Sequence, residues 1–268
     1  MYNINNYQFL DFKIAPNLHK SNYAVLINTI GKGIKYAPYA DFALEYNILK
    51  ELDHAQIPKV YDIGQGDLFK NGKLLIKQNF IVLQHIDGYD LVTYFNEQDM
   101  RSAETINEVV HLFITACEPL QYLHDKHYIH CDLKPGHLIY HKKSGITHII
   151  DFELAIENGD FPKGISKEYA SPEQLQLLAF LKNHPDVEDH KDIPVPLRLD
   201  GRTDLYAIGL LLYQIITKKL WRPEKVLPGK INKSIPQKLE EITLGLLEEN
   251  ISKRISSAME LKKSLSSM

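Results

Sequence analysis

The sequence predicts an α+β protein in two parts, a small β-rich N-terminal one and a larger helical C-terminal one. Three observations carry this expectation. Short apolar and aromatic runs broken by polar or glycine turns fill the early chain. Apolar residues at helical spacing take over after about residue 100. The longest apolar run, Tyr206 to Ile216, is too short to span a bilayer and has the make-up of a buried core helix.

Taken in order, "YQFLDFKIA", "YAVLINTI" and "GIKYAP" read as strands. In "DFALEYNILKELDH" the apolar residues Phe42, Leu44, Ile48, Leu49 and Leu52 line one helix face, and Asp41 can cap it. "KVYDIGQGD" and "NFIVLQHI" form a hairpin pair across the turn "FKNGK". Asp87-Gly88 marks a break, so the boundaries are a first lobe over about 1–87, a hinge over about 87–91 and a second lobe over about 92–268. A long helix follows, with apolar spacing from Ile106 to Leu123. Two β-like segments, "HLIY" and "THIIDF", flank "HKKSG", and helices dominate from Pro172. The Pro- and Asp-rich stretch within 178–201 reads as an exposed loop or insertion.

Composition narrows the function. The chain has 268 residues, 44% hydrophobic and 24% charged, which is ordinary for a soluble globular domain. A net charge of −3 leaves no broad basic field, so neither nucleic acid nor a membrane surface is an expected partner. Two cysteines, Cys117 and Cys131, make neither a disulfide framework nor a zinc site and suit a cytoplasmic protein; export into another cell stays open. The N-terminus "MYNINNYQFL" carries no signal pattern.

The chemistry concentrates in "HCDLKPGHLIY". An Asp on a loop, here Asp132, can orient a hydroxyl and accept its proton. Lys134, two residues on, can neutralise a moving phosphoryl group. Phosphoryl transfer needs positioning and charge more than covalent help, plus a second acid to hold a divalent ion on phosphates. "IIDFELA" supplies that acid as Asp151, 19 residues after Asp132.

These motifs resemble those of eukaryotic-type protein kinases in a divergent, bacterial-like form. "HCDLKPGH" is similar to H-R-D-L-K-P-x-N and "DFE" to D-F-G. Ser171-Pro172-Glu173 stands in the place of A-P-E, Asp204 in that of the residue bracing the loop, and Arg254 in that of the late arginine pairing with Glu173. The resemblance runs from about residue 7 to the end, one kinase domain of bilobal fold. It implies ATP as phosphoryl donor, Mg²⁺ or Mn²⁺ as the ion, and Ser/Thr hydroxyls of a protein substrate, since Lys134 is typical of Ser/Thr members. A pseudokinase acting as a binding or scaffold module is the alternative; a small-molecule kinase is the lesser one.

By the same resemblance Lys35 is the strand lysine and Glu45 its helix partner; aligning "YAVLIN" instead with that strand would leave no lysine. No glycine precedes Gly31, so the phosphate-covering loop falls near "NLHKSN", with Ser21 and Asn22 as its small residues. Ser166 occupies the place of the activation-segment hydroxyl that bonds Asp132 and Lys134. Cys131 replaces the loop arginine that receives a phosphorylated activation loop, so switching of that type is not expected. His137 stands at the metal-binding Asn; Mg²⁺ prefers oxygen, so the imidazole can instead hydrogen-bond Asp132 or accept a softer ion such as Mn²⁺. Glu153, in place of the D-F-G glycine, can return the missing oxygen, so the expected metal set is Asp151, His137 and Glu153. The spacing of His124, His127 and His130 also raises a transition-metal site, against which the motif match weighs. Trp221, the one tryptophan, reads as core or surface anchor.

Overall fold

The computed structural model describes residues 2–4, 7–9, 24–27, 32–37, 41–70 and 72–268. The chain divides into two compact units, Met1–Asp87 and Gly88–Met268.

The first unit is built on an antiparallel sheet of β1 (Tyr2–Ile4), β2 (Tyr7–Phe9), β3 (Ala24–Ile27), β4 (Lys32–Ala37), β5 (Val60–Lys70) and β6 (Lys73–Gln84), in the order β2-β1-β5-β6-β4-β3. β5 and β6 form the hairpin expected from the sequence, with Gly72 in its turn at φ +78°, a backbone state that glycine adopts without steric cost. β4 lies between β3 and β6, which is why Ile34 and Lys35 are both buried. Helix α1 (Ala43–Glu51) turns Glu45, Ile48 and Leu49 inward, and the Asp41 carboxylate accepts from Ala43 N–H at 2.9 Å at its start. Phe80, Ile81 and Val82 complete the core.

The second unit opens at Gly88, whose φ of +153° and approach to the Tyr140 carbonyl would place a Cβ 2.5 Å from that oxygen. The segment expected as a hinge is in part a strand: β7 (Tyr89–Asp90) pairs with β9 (Leu138–His141), which pairs in turn with β10 (Ile146–Ile149). Asp90 then caps α2 (Leu91–Phe95) by accepting from Thr93 N–H, a short signal that a coarse reading of a connection passes over. The long helix is α3 (Ala103–Asp125), capped by Ser102 and carrying Pro119 inside it. Proline costs a helix interior about 3 kcal/mol, and Pro119 is buried on the helix.

β8 (Tyr128–Ile129) pairs with β11 (Ile156–Glu157). α4 (Pro172–Asn183) starts in a capping box, with Ser171 and Gln174 each satisfying the other's backbone N–H and Pro172 in the first turn. α5 (Arg202–Thr217) is buried nearly all round, as its apolar run predicts, and packs on α7 (Gln237–Leu246), with α6 (Pro228–Ile231) alongside. α8 (Ala258–Ser266) packs on α3.

The 178–201 stretch, read as an exposed loop, is largely exposed and irregular, as expected, with some local order inside it. α4 occupies its start, and two short 3₁₀ turns, His190–Asp192 and Val195–Leu197, follow. Ile193 and Leu199 are buried in one cluster with Ile129, Cys131, Ile156 and Leu177. Two apolar anchors fasten a mostly polar segment, and its Pro and Asp content hides them from a compositional reading. Among the described residues no helix is long and apolar enough to cross a membrane.

Candidate active site

The site in the second unit begins with a buried carboxylate that carries no chemistry of its own. Asp204, in the first turn of α5, is 1% exposed. Its Oδ2 accepts from His130 N–H at 2.9 Å and from His124 Nε2–H at 2.9 Å, and its Oδ1 accepts from Cys131 N–H at 2.9 Å. Cys131 is thereby held at φ +63°, a left-handed state uncommon for a residue with a Cβ. Its carbonyl accepts from Gln174 Nε2 at 2.8 Å, so the start of α4 grips the loop from the other side. Burial raises the Cys131 thiol well above its usual range, which leaves it a small packing residue.

His130 is fully buried against Phe152, with ring centroids 5.0 Å apart. Asp132 N–H donates to its Nδ1 at 3.3 Å, so the proton sits on Nε2, which donates to the Ile150 carbonyl at 3.0 Å. Burial also lowers its pKa, in keeping with this neutral tautomer. The imidazole is a rigid strut between the loop and Ile150, which follows β10 and precedes Asp151.

This framework aims Asp132. Its side chain is 6% exposed, and Oδ2 accepts from Lys134 Nζ at 2.7 Å. Lys134 Nζ also donates to Ser166 Oγ at 3.3 Å. Asp132 Oδ1 is buried and meets no donor. The structure therefore brings Asp132, Lys134 and Ser166 together around one amine.

His137, in a 3₁₀ turn at Pro135–His137, is buried. Its Nδ1–H donates to the Asp132 carbonyl at 2.8 Å, and its Nε2 lies 3.1 Å from Asp151 Oδ2. Asp151 has φ +69°, a second left-handed residue in the site. The ring thus clasps the two candidate acids to each other. Mg²⁺ takes oxygen ligands at about 2.0–2.1 Å and is commonly held by one or two carboxylates together with phosphate oxygens. Asp151 fits that pattern as one carboxylate. His137 does not: one nitrogen is committed to a carbonyl and the other faces Asp151. Glu153 is exposed, and among the described residues no three His, Cys, Asp or Glu side chains form a metal-holding group. The expected set of Asp151, His137 and Glu153 is not assembled as a cage, and neither is a histidine cluster.

Behind the site, Glu173 and Arg254 form a bidentate pair at 2.7 and 3.0 Å, with the Arg254 side chain wholly buried. Thr203 Oγ1 also donates to Glu173 at 3.2 Å, while Arg254 donates to the Arg202 and Glu248 carbonyls. In the first unit Lys35 Nζ donates to both Glu45 oxygens at 2.7 and 3.0 Å, and both side chains are buried. Ser21 and Asn22 lie outside the described residues. Sequence reading missed His130 as a strut and Gln174 as a clamp. The Ser171-x-x-Gln174 spacing marks a cap, and nothing in it marks the second bond that Gln174 makes.

A family model described as "Protein kinase domain" matches residues 20–266. Among curated proteins, the serine/threonine-protein kinase PksC of Streptomyces coelicolor is 24% identical, over 81% of this chain and 39% of that protein. Serine/threonine-protein kinase PknB of Mycolicibacterium smegmatis is 23% identical, over 85% of this chain and 35% of its own. The chain spans less than half the length of these relatives. Among solved structures, the crystal structure of the Mycobacterium tuberculosis PknI kinase domain is similar in fold, with TM-score 0.62 and 17% identity over 91% of this chain and 90% of that one. With matched motifs in order along almost its whole length, the chain belongs to the protein kinase domain family.

Proposed function

We propose that the chain is an active Ser/Thr protein kinase that transfers the γ-phosphoryl group of ATP to a hydroxyl of a protein substrate in the cytoplasm. The observation that carries this reading is the Lys134 amine between Asp132 Oδ2 and Ser166 Oγ, beside a buried Asp132 Oδ1 that meets no donor. A buried carboxylate oxygen with no donor is an acceptor ready for a substrate hydroxyl, and leaving it unmet costs about 1–3 kcal/mol. In this reading Asp132 orients the hydroxyl and takes its proton, while Lys134 offsets the negative charge of the transferring group. Ser166 fixes the Lys134 ammonium from the far side. Lys35, paired with Glu45, would bind nucleotide phosphates. Asp151 would hold the divalent ion, with Mg²⁺ neutralising phosphate oxygens when bound and Mn²⁺ the alternative where a nitrogen lies close.

The test is transfer of label from γ-labelled ATP to the protein itself and to a generic basic protein, in Mg²⁺ and separately in Mn²⁺. The wild type transfers label, and Asp132→Asn lowers the rate by about 10²-fold or more. Equal rates in wild type and Asp132→Asn, or no transfer in either metal, would replace this reading with that of a binding module.

A further inference from the structure

The ring of His137 is held from several sides. The residue's backbone N–H donates to the Lys134 carbonyl at 2.9 Å, and its own carbonyl accepts from Ile150 N–H at 3.0 Å. The side chain is 8% exposed, and the ring centroid lies 5.8 Å from that of His130. Nδ1–H donates to the Asp132 carbonyl at 2.8 Å. Turning the ring outward would strand that buried N–H and the carbonyl it serves, and a buried polar group left without a partner is strongly disfavoured. The imidazole is therefore a fixed part of the wall between the two acids.

That wall has a definite place. Nδ1 is 3.6 Å from Asp132 Oδ2, and Nε2 is 3.1 Å from Asp151 Oδ2. In protein kinases the D-F-G aspartate and the loop asparagine together hold a pair of Mg²⁺ ions, the asparagine serving the second. That service needs an oxygen at residue 137 facing Asp151. Imidazole has no oxygen, and the atom that faces Asp151 is a nitrogen. Mg²⁺ demands oxygen at about 2.0–2.1 Å in near-octahedral geometry. An ion placed at that distance from Asp151 Oδ2, on the side of residue 137, would meet the ring instead of an oxygen ligand. Glu153, the other oxygen that the sequence offers, is exposed. One Mg²⁺ on Asp151 and the nucleotide's own phosphates is compatible with this arrangement. A second, shared with residue 137, is not.

We propose that His137 closes the second ion's place to Mg²⁺, so that the chain holds its nucleotide with a single Mg²⁺, on Asp151, and the ring joins the two acids where a second ion would. The inference rests on reading Asp151 as the ion's holder, but its test needs no phosphoryl transfer. The probe is a non-hydrolysable ATP analogue, its affinity read by displacement of a fluorescent nucleotide. Free Mg²⁺ is raised at constant ionic strength through the range where the analogue already carries one ion. The slope of log affinity against log free Mg²⁺ then gives the number of further ions taken up. In the wild type the slope stays near zero. His137→Asn offers an oxygen to an ion while keeping an N–H for the Asp132 carbonyl. Its slope rises towards one, so a tenfold increase in Mg²⁺ tightens binding by up to about tenfold. His137→Gln, with the same groups on a longer stem, serves if the Asn variant does not fold. A wild-type slope near one would overturn the proposal, as would a slope near zero in both the wild type and the folded variant. The predicted pair of slopes in a protein that never transfers label would uphold the single ion and refute the catalytic reading. Label transfer with a wild-type slope near one would do the reverse, and a protein that binds no nucleotide at any Mg²⁺ concentration would end both.

Discussion

Asp204→Ala is the sharpest perturbation of the site, because the residue touches none of the reacting groups yet fixes where they lie. The carboxylate accepts from the backbone N–H groups of His130 and Cys131, both buried, and from the His124 ring. Alanine strands the two backbone donors. Hydrogen bonds to charged groups are worth about 1.5–3 kcal/mol each, so the loss is about 3–6 kcal/mol. Cys131 also loses the clamp that holds it at φ +63°, a conformation costing roughly 1–2 kcal/mol that can then relax. Asp204→Asn retains one acceptor oxygen but turns an amide N–H₂ towards a backbone donor, and should cost roughly half as much. Urea denaturation gives the stability change, and amide exchange at residues 130 and 131 locates it. If Asp132 shifts by about 1 Å as the loop relaxes, transfer falls by about 10²-fold even where the protein stays folded. An Ala variant within about 1 kcal/mol of wild type, with slow exchange retained at both amides, would refute this account of the loop.

Three further outcomes follow from the same framework. Arg254→Met leaves Glu173 buried with Thr203 Oγ1 still donating to it and should destabilise by about 3–5 kcal/mol. The double variant Glu173→Leu/Arg254→Met should recover most of that in chemical denaturation, and simple additivity would contradict the pairing. His130 has its pKa lowered by burial, so the unfolded chain binds its proton first as pH falls. Its contribution is therefore full above about 6.5 and lost below it, with a slope approaching about 1.4 kcal/mol per pH unit. Stability measured from pH 7.5 to 5 should fall less steeply in His130→Gln, and an unchanged slope would remove His130 from the explanation. Between Leu154 and Ile165 there is no Ser, Thr or Tyr, and Cys131 stands where an arginine would receive a phosphate. Phosphatase treatment should therefore leave the transfer rate within about twofold; a large loss would mean that a switch lies elsewhere in the chain.

The fold was legible in the sequence wherever burial imposes a period. α3 and α5 show apolar spacing strong enough to be read through Pro119, and the β5–β6 hairpin announces its turn with Asn71-Gly72. Where few residues anchor many, the signal failed: Ile193 and Leu199 fasten a polar stretch, and Gly88 with Asp90 makes structure of a presumed connection. In the site, residue types suggested the chemistry proposed for Asp132, Lys134 and Asp151, and the family resemblance implied the Glu173–Arg254 pairing that the structure contains. Direction was not legible. A bond from His137 to Asp132 is among the readings of the sequence, but that it goes to the backbone carbonyl and leaves Nε2 facing Asp151 depends on a backbone path that no local spacing encodes.

The cost of the loop bears on whether it is working machinery or a remnant. Cys131 and Asp151 both occupy left-handed backbone states, each unfavourable by about 1–2 kcal/mol for a residue with a side chain. Asp132 adds a buried oxygen without a donor, at about 1–3 kcal/mol. Together these amount to several kcal/mol, against a net stability of about 5–15 kcal/mol for a typical domain. A module kept only for its outer surface would be more stable with glycine or a relaxed backbone at 131 and 151 and an apolar residue at 132. Instead the strained loop is held by a dedicated set of buried partners, Asp204, Gln174 and the neutral His130 strut, none of which reaches the surface. Support of that kind stabilises a particular orientation of Asp132 rather than the fold as a whole, which is what the proposed role of Asp132 in orienting a substrate hydroxyl requires.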